Sequence, residues 1–253
     1  MNTILKYCGV PVMALLFSAC EIDNYKEGDG IISGTVTDSI TGRLLSSEQP
    51  NGYIIYCTEL SWTETANKGS QSFFGKADGT FYNCRIFKGT YSVAPRNGPF
   101  HAVTSQEVEI RSKKETKVDF KVLPYCSFSD VTIEKDPVDA KAIITTFKLN
   151  VHELQTFKTN TETGETETII SKATPRNYKL FATSRSPFVG INIYDDAVSS
   201  GDIAFTEVDL NTTLTIRRTG FQKGKTYYIR LGARCSETPE SRYNMTDIVK
   251  LEF

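Results

Sequence analysis

The pattern that most constrains the fold is the recurrence of turn residues between short runs rich in Tyr, Phe, Thr, Ile and Val. The turn signals follow one another about every 8–12 residues, a spacing typical of β-sandwiches and β-barrels. No long stretch of the sequence places apolar residues at the 3.6-residue period of an amphipathic helix. The sequence therefore predicts an all-β protein with few helices.

The first predicted domain covers residues 31–123. It opens with "IISGTVTDSITGRLL", in which Ile32 and Val36 alternate with polar residues as in a half-buried strand. The later stretch "ADGTFYNCRIFKGTYSVAP" places turns at Gly79 and Gly89 between strands. The motifs "GTVTDSITGRLL", "DGTFYN" and "GTYSV", in this order, resemble the transthyretin-like, carboxypeptidase-regulatory type of β-sandwich. The resemblance implies a β-sandwich for this domain.

The second predicted domain covers residues 124–253 and begins at Pro124, which cannot donate to a strand ladder. Its segment "GFQKGKTYYIRLGA" resembles the E–F corner of a fibronectin type III domain. The resemblance implies that Tyr227 is the corner tyrosine, whose hydroxyl bonds back to the backbone while its ring packs. The polar run "KTNTETGETETII" predicts a projecting hairpin around Thr163 and Gly164. Together the two domains predict two tandem β-sandwiches.

The first residues predict an exported protein. An uncharged run of ten residues, Cys8 to Phe17, follows Lys6. As a helix this run rises only ~15 Å, against ~30 Å of bilayer hydrocarbon, so it is typical of a secretory signal. The stretch "FSAC" resembles the lipobox of bacterial lipoproteins, although Phe17 departs from the usual Leu. This implies a signal peptide over residues 1–19 and lipidation of Cys20; the alternative is an ordinary signal peptide with a coincidental cysteine.

The segment behind the cysteine, residues 20–30, contains "EIDNYKEGDG", which is acidic and predicts a flexible tether. Acidic residues in this position also resemble the export signal of surface-displayed lipoproteins in Bacteroidota. We therefore expect a lipid-anchored outer-membrane lipoprotein exposed on the cell surface. A periplasm-facing protein with a simple solvated linker is the alternative.

The order of signal, transthyretin-like domain and fibronectin-like domain resembles an uncharacterised Bacteroidota lipoprotein family found with glycan-uptake systems of the starch-utilisation type. The resemblance implies a cell-surface accessory role in carbohydrate binding or scaffolding. The implied partners are the outer membrane, a glycan and an outer-membrane transporter complex. No catalytic or binding residue is carried over. The alternative is a structural or adhesive, fimbrial-type subunit; the absence of an evident Arg cleavage site before the first strand favours the accessory role.

The composition offers little for catalysis or for nucleic acid. With 29 basic and 30 acidic residues, the chain has no basic block to neutralise phosphates. Its two histidines, His101 and His152, fall in different predicted domains, and no nucleophile, phosphate-binding or zinc motif is present. We interpret Asp195 and Asp196 as a solvated turn, because a glycosidase needs two carboxylates across a cleft. We expect a non-enzyme without cofactor or metal.

Four cysteines remain beyond residue 30 and allow three pairings. In a seven-stranded sandwich, the first strand starts and the sixth ends at the same pole, which places Cys126 near Cys235. We predict a disulfide between these two. Cys57 with Cys84 is a weaker candidate, and four buried free thiols are the alternative.

The candidate ligand site rests on aromatic residues outside the predicted strands. The segment "ELSWTETANKGSQSFFG" is polar except for Trp62, Phe73 and Phe74. Loops on sandwiches carry function more often than strands do, and an indole face suits the C–H face of a sugar. Because neighbouring strand residues point to opposite faces, one of the two phenylalanines is core. We hypothesise a shallow site at Trp62 with Phe74, and Tyr82 and Arg96 as polar neighbours. Alternatively, Trp62 caps the core.

Overall fold

The structure, a computed structural model, describes residues 27–61, 69–159, 161, 166–239 and 242–253. Apart from one short 3-10 turn at Glu207–Asp209, its regular elements are strands, so the prediction of tandem β-sandwiches is confirmed. Cys20 and the predicted signal peptide lie outside the described residues. Within those residues, no helix has the length and apolarity needed to cross a membrane.

The first sandwich contains two sheets. Its strands are β1 (Gly30–Asp38), β2 (Ile54–Glu59), β3 (Ser70–Phe74), β4 (Thr80–Ile86), β5 (Gly89–Arg96), β6 (Gln106–Ile110), β7 (Glu115–Lys117) and β8 (Phe120–Val122). In one sheet β1 is central, with β4 antiparallel on one side and β7 and then β8 parallel on the other. The other sheet is antiparallel in the order β3-β2-β5-β6.

The core of this sandwich follows the alternation read from the sequence. Ile32 and Val36 of β1 are fully buried and pack with Ile55 of the facing sheet. Gly34 lies between the two β1 residues, and a Cβ there would collide with the carbonyl oxygen of Val118. The glycine therefore allows the chain after β7 to approach the centre of the sheet.

The second sandwich also contains two main sheets. Its strands are β9 (Cys126–Lys135), β10 (Ala142–Val151), β11 (Glu153–Thr159), β12 (Thr166–Lys172), β13 (Pro175–Thr183), β14 (Ile203–Ala204), β15 (Leu214–Thr219), β16 (Thr226–Cys235), β17 (Asn244–Met245) and β18 (Val249–Glu252). The first sheet has the order β15-β10-β9, and the second has the order β14-β13-β16-β17, with β18 also on β16.

Strands β11 and β12 form a separate two-stranded hairpin. Every residue of β12 is exposed, and Phe157 of β11 is 70% exposed. Strands therefore flank the predicted turn as expected, while Thr163 and Gly164 themselves lie outside the described residues.

The corner before β16 has the geometry of a tyrosine corner. The backbone N–H of Gln222 donates a hydrogen bond to the Tyr227 hydroxyl at 3.2 Å. The Tyr227 ring packs edge-on against Phe221 at 4.8 Å between centroids. Gly224 makes the turn at φ +79°, in the left-handed region that suits glycine.

The four cysteines of the described residues are free thiols in the structure, so the predicted bridge between Cys126 and Cys235 is absent. Cys126 and Cys235 do lie in the same core, fully buried, and a hydrogen bond with Cys235 together with burial raises the pKa of the Cys126 thiol. The Cys126 Sγ also donates to Asn244 Oδ1 at 3.3 Å. Cys57 is buried and Cys84 exposed on the other sheet, so their side chains point apart.

The two sandwiches meet through a buried polar contact. Glu48 Oε1 accepts hydrogen bonds from the backbone N–H and the side-chain amide of Asn192, at 2.9 and 3.0 Å. Arg230 Nη1 donates to the carbonyl oxygen of Ser47 at 3.0 Å. Glu48 and Arg230 are only 3% and 2% exposed. A Cβ at Gly190 would stand 3.0 Å from both side chains, so this glycine allows the close approach.

Candidate ligand-binding face

The structure brings two of the sequence-predicted site residues together. Phe74 at the end of β3 and Arg96 at the end of β5 both pair with Ile54 of β2. Directly opposed residues of antiparallel strands point to the same face of a sheet. The three side chains therefore form one row across the outer face of the β3-β2-β5 sheet.

The phenylalanine pair divides between core and surface, as predicted. The ring of Phe73 packs against that of Phe81 in the core, with centroids 6.2 Å apart. Phe74 is 49% exposed. Of the two, Phe74 is thus the one available to a ligand.

Tyr82 does not join this row. It lies on β4, in the other sheet, where it pairs with Ser33 and is 50% exposed. Exposed residues of two packed sheets face away from each other on opposite sides of the sandwich, so Tyr82 and Phe74 cannot contact one ligand ring together. The prediction that Tyr82 and Phe74 lie side by side in one site is therefore wrong. Trp62 lies outside the described residues.

Tyr56 is a site residue that the sequence analysis missed. It follows Ile54 by two positions on β2 and pairs with Ser72 and Ala94, so it points to the same outer face. Its hydroxyl accepts a hydrogen bond from Asn97 Nδ2 at 3.4 Å. The alternation along β2, with Ile55 buried, could have identified it.

Arg96 supplies the charge of this face. Its Nη1 donates to the carbonyl oxygen of Val103 at 2.5 Å, which fixes the guanidinium against the following loop. A guanidinium has five N–H donors, so donors beyond that bond can reach a ligand oxygen. We name the set Phe74, Ile54, Tyr56 and Arg96 the outer face.

The solvent-exposed side of the same sheet becomes polar further along these strands. Thr58 of β2 pairs with Ser70 on one side and Ser92 on the other, and Ser92 pairs with Glu107 of β6. The surface therefore changes from aromatic rings and a guanidinium to hydroxyl groups over a few residues. Such a surface can hold a flat, hydroxyl-bearing ligand.

Asp195, one of the two adjacent carboxylates considered in the sequence, has a structural role. Asp195 accepts a hydrogen bond from Thr183 Oγ1 at 2.9 Å and pairs with Arg185 Nη2 at 2.7 Å, so it organises its own loop. Over the residues that the structure describes, no group of three or more His, Cys, Asp or Glu residues is placed to hold a metal ion.

The fold defines a class: a tandem β-sandwich protein. Residues 31–123 match the N-terminal domain of DUF3823, a family of proteins of unknown function. The first sandwich is therefore similar to the N-terminal domain of that family. No curated protein sequence matches the chain.

Solved structures from Bacteroidetes share this fold over most of both chains. A DUF3823 protein from Bacteroides uniformis ATCC 8492 has a TM-score of 0.66 at 23% identity, covering 89% of this chain and 99% of its own. A protein from the same strain, provisionally described as carbohydrate binding, has a TM-score of 0.64 at 23% identity, covering 89% and 100%. A DUF3823 protein from Parabacteroides merdae ATCC 43184 has a TM-score of 0.59 at 19% identity, covering 90% and 100%. At these identities the likeness shows the fold alone.

Proposed function

We propose that this protein is a non-catalytic lipoprotein of the cell surface that binds a glycan on the outer face of its first sandwich. The observation that carries the proposal is the row of Phe74, Ile54 and Arg96, with Tyr56 beside it. Aromatic rings offer an apolar plane to the C–H face of a sugar ring. The Arg96 guanidinium can donate to sugar hydroxyls or to a carboxylate.

The description of one relative from Bacteroides uniformis as carbohydrate binding supports this ligand class. An accessory role in an outer-membrane glycan-uptake system follows from the sequence resemblance, and a transporter complex is then the protein partner. The motif "FSAC" supports anchoring to the outer membrane through Cys20.

A glycan array with a soluble form starting at Glu21 tests the binding function. We expect Phe74→Ala to weaken binding at least tenfold, which corresponds to ~1.4 kcal/mol. Tyr82→Ala is the matched control, because it removes an equally exposed aromatic ring from the opposite side of the same sandwich. Equal losses in both variants, or binding unchanged in Phe74→Ala, would remove the outer face from the proposal. Absence of binding to every glycan would contradict the function itself.

Metabolic labelling with palmitate tests the anchor. Label should enter the wild-type protein and be lost in Cys20→Ser. Label that persists in the variant would place the lipid elsewhere, Cys8 being the other cysteine of the signal region. Protease treatment of intact cells then tests the location, since a periplasm-facing protein would resist digestion.

The alternative of a fimbrial-type subunit makes a different prediction. Such a subunit loses its first strand and accepts a donor strand in the groove left behind. Here β1 pairs on both sides, so its removal would open such a groove. Purified protein running as ladders of stable oligomers, with β1 cleaved off, would favour this alternative over the accessory role.

A further inference from the structure

A groove at the junction of the two sandwiches has the chemistry of a second ligand site. Segment 40–46, which follows β1, faces the start of β9 and forms two adjoining clefts of about 470 and 270 Å³. The clefts share Thr41, Ser127 and Phe128 in their walls. We call the two clefts together the junction groove. Ligand sites occur preferentially at such domain interfaces and have volumes of ~300–1,000 Å³.

The larger cleft is lined by neutral hydrogen-bonding groups around an aromatic ring. Its hydroxyl, amide and imidazole side chains are those of Thr41, Ser127, Ser129, Asn150, His152 and Asn211. Of the described residues that line this cleft, none carries a formal carboxylate, ammonium or guanidinium charge. This set can both donate to and accept from hydroxyl groups, and it contains no formal charge that would pair with an ionic ligand.

The histidine in this wall is held in place by contacts on three sides. His152 Nε2 lies 2.8 Å from Ser127 Oγ, and its backbone N–H donates to the carbonyl oxygen of Tyr125 at 3.0 Å. His101 of the first sandwich donates from Nε2 to the His152 carbonyl oxygen at 3.0 Å. Although the two histidines belong to different predicted domains, they therefore meet at the junction. Burial lowers the pKa of His152, which keeps the imidazole neutral at neutral pH.

The two asparagines present amides to the cleft. Asn150 Nδ2 donates to Ser129 Oγ at 3.2 Å. In the described part of the chain, the Asn211 side-chain amide has no hydrogen-bond partner, and its backbone adopts φ +59°. The backbone N–H of Asn211 donates to the carbonyl oxygen of Leu149, so the amide can be removed without loss of that contact.

Phe128 separates the two clefts and is fixed from behind. Its ring makes an edge contact with Phe147, with centroids 5.7 Å apart. The smaller cleft beyond it adds the exposed apolar side chains of Leu44 and Val131, and the ion pair of Arg43 with Asp247 at 3.1 Å. A ring between two cavities suits a ligand built of linked rings.

We propose that the junction groove binds a neutral oligosaccharide, with one sugar in the amide-lined cleft and the next stacked at Phe128. This site is independent of the outer face, because none of the outer-face residues lines it. The walls of the groove are formed by segment 40–46 of one sandwich and by β9 of the other. Ligand binding there would consequently favour the packed arrangement of the two sandwiches.

The test uses a ¹⁵N-labelled soluble form of residues 21–253 and four neutral probes: maltotriose, cellotriose, mannotriose and xylotriose. Trigalacturonic acid is the anionic comparison. At least one neutral probe should shift the side-chain amide signals of Asn150 and Asn211. The double variant Asn150→Ala/Asn211→Gly should bind that probe at least tenfold more weakly. Asn83→Ala, a partly buried strand asparagine of the first sandwich, is the control and should bind unchanged.

Three results would overturn the groove site: no shift with any neutral trisaccharide, unchanged affinity in the double variant, or equal binding of trigalacturonic acid. Phe74→Ala separates the two proposals. If this variant keeps the amide shifts while its affinity for an array glycan falls at least tenfold, both sites stand. If the amide shifts persist but no variant of the outer face changes array binding, the groove stands and the outer face does not.

Discussion

Replacing Arg230 by methionine tests how much the buried polar contact between the two sandwiches contributes to the free energy of unfolding. Arg230 is buried between them, and burial lowers the pKa of its guanidinium from an ordinary value of 12.5 to about 10. The side chain therefore remains charged at neutral pH. At ~1.4 kcal/mol per pKa unit, holding that charge in the interface costs about 3 kcal/mol. This cost already includes the attraction of the neighbouring Glu48 carboxylate, which raises the pKa of Arg230.

Methionine removes the buried charge but leaves Glu48 without a cation and the Ser47 carbonyl without its donor. Removing one of two opposite charges that are buried together destabilises proteins by ~3–5 kcal/mol. We expect the lower end, a loss of ~3 kcal/mol in the free energy of unfolding, because Asn192 still donates twice to Glu48. The double variant Glu48→Gln/Arg230→Met should recover to within ~1 kcal/mol of wild type, since a neutral amide can accept the same two bonds.

Urea unfolding followed by far-ultraviolet circular dichroism, at pH 7 and at pH 5, measures both effects. Burial raises the pKa of Glu48 above its ordinary 4.5. A carboxyl with a raised pKa contributes stability that is present at low pH and is lost as the pH rises through the folded-state value. The penalty of Arg230→Met should therefore be smaller at pH 5. A loss below ~1 kcal/mol at pH 7, or strictly additive effects in the double variant, would refute this account of the interface.

Three further predictions concern single side chains. In a folded soluble form of residues 21–253, a thiol reagent should modify Cys84 promptly and the three buried thiols only in urea; fewer than four reactive thiols in urea would reveal a bridge. Tyr227→Phe should lower the free energy of unfolding by ~1 kcal/mol through loss of its hydrogen bond, and a change near zero in urea unfolding would contradict this. Because burial lowers the pKa of His152, the free energy of unfolding should fall as the pH drops below ~6.5. His152→Gln should flatten this pH dependence in thermal melts, and an unchanged dependence would exclude His152 as its source.

The sequence predicts local features of individual strands and turns correctly. The alternation of Ile32 and Val36 predicts the inward face of β1, and both side chains are fully buried. The Asp-Gly pair before β4 predicts a turn, and Gly79 there has φ +77°. These features depend on neighbours within a few positions, which a single sequence displays directly.

The candidate site was only partly predictable, because it depends on which strands share a sheet. Period-two alternation shows that Phe74 and Tyr82 can be exposed, but not that their strands belong to different sheets. For the same reason, the sequence does not predict that His101 contacts His152 across the junction. The bridge of Cys126 with Cys235 was predicted from strand order, which places the residues close together but does not determine their redox state.

The position of β1 determines how the first sandwich would respond to mechanical load. The strand is flanked by β4 on one side and by β7 and β8 on the other. Tension on the chain ahead of Gly30 acts along the strand and across its ladder hydrogen bonds, which share the load and must break together. A strand at a sheet edge pulled sideways would instead release its bonds one after another. If the chain is tethered through its first residues, as the lipobox-like motif predicts, drag on a captured polymer would therefore be shared among the ladder hydrogen bonds on both sides of β1.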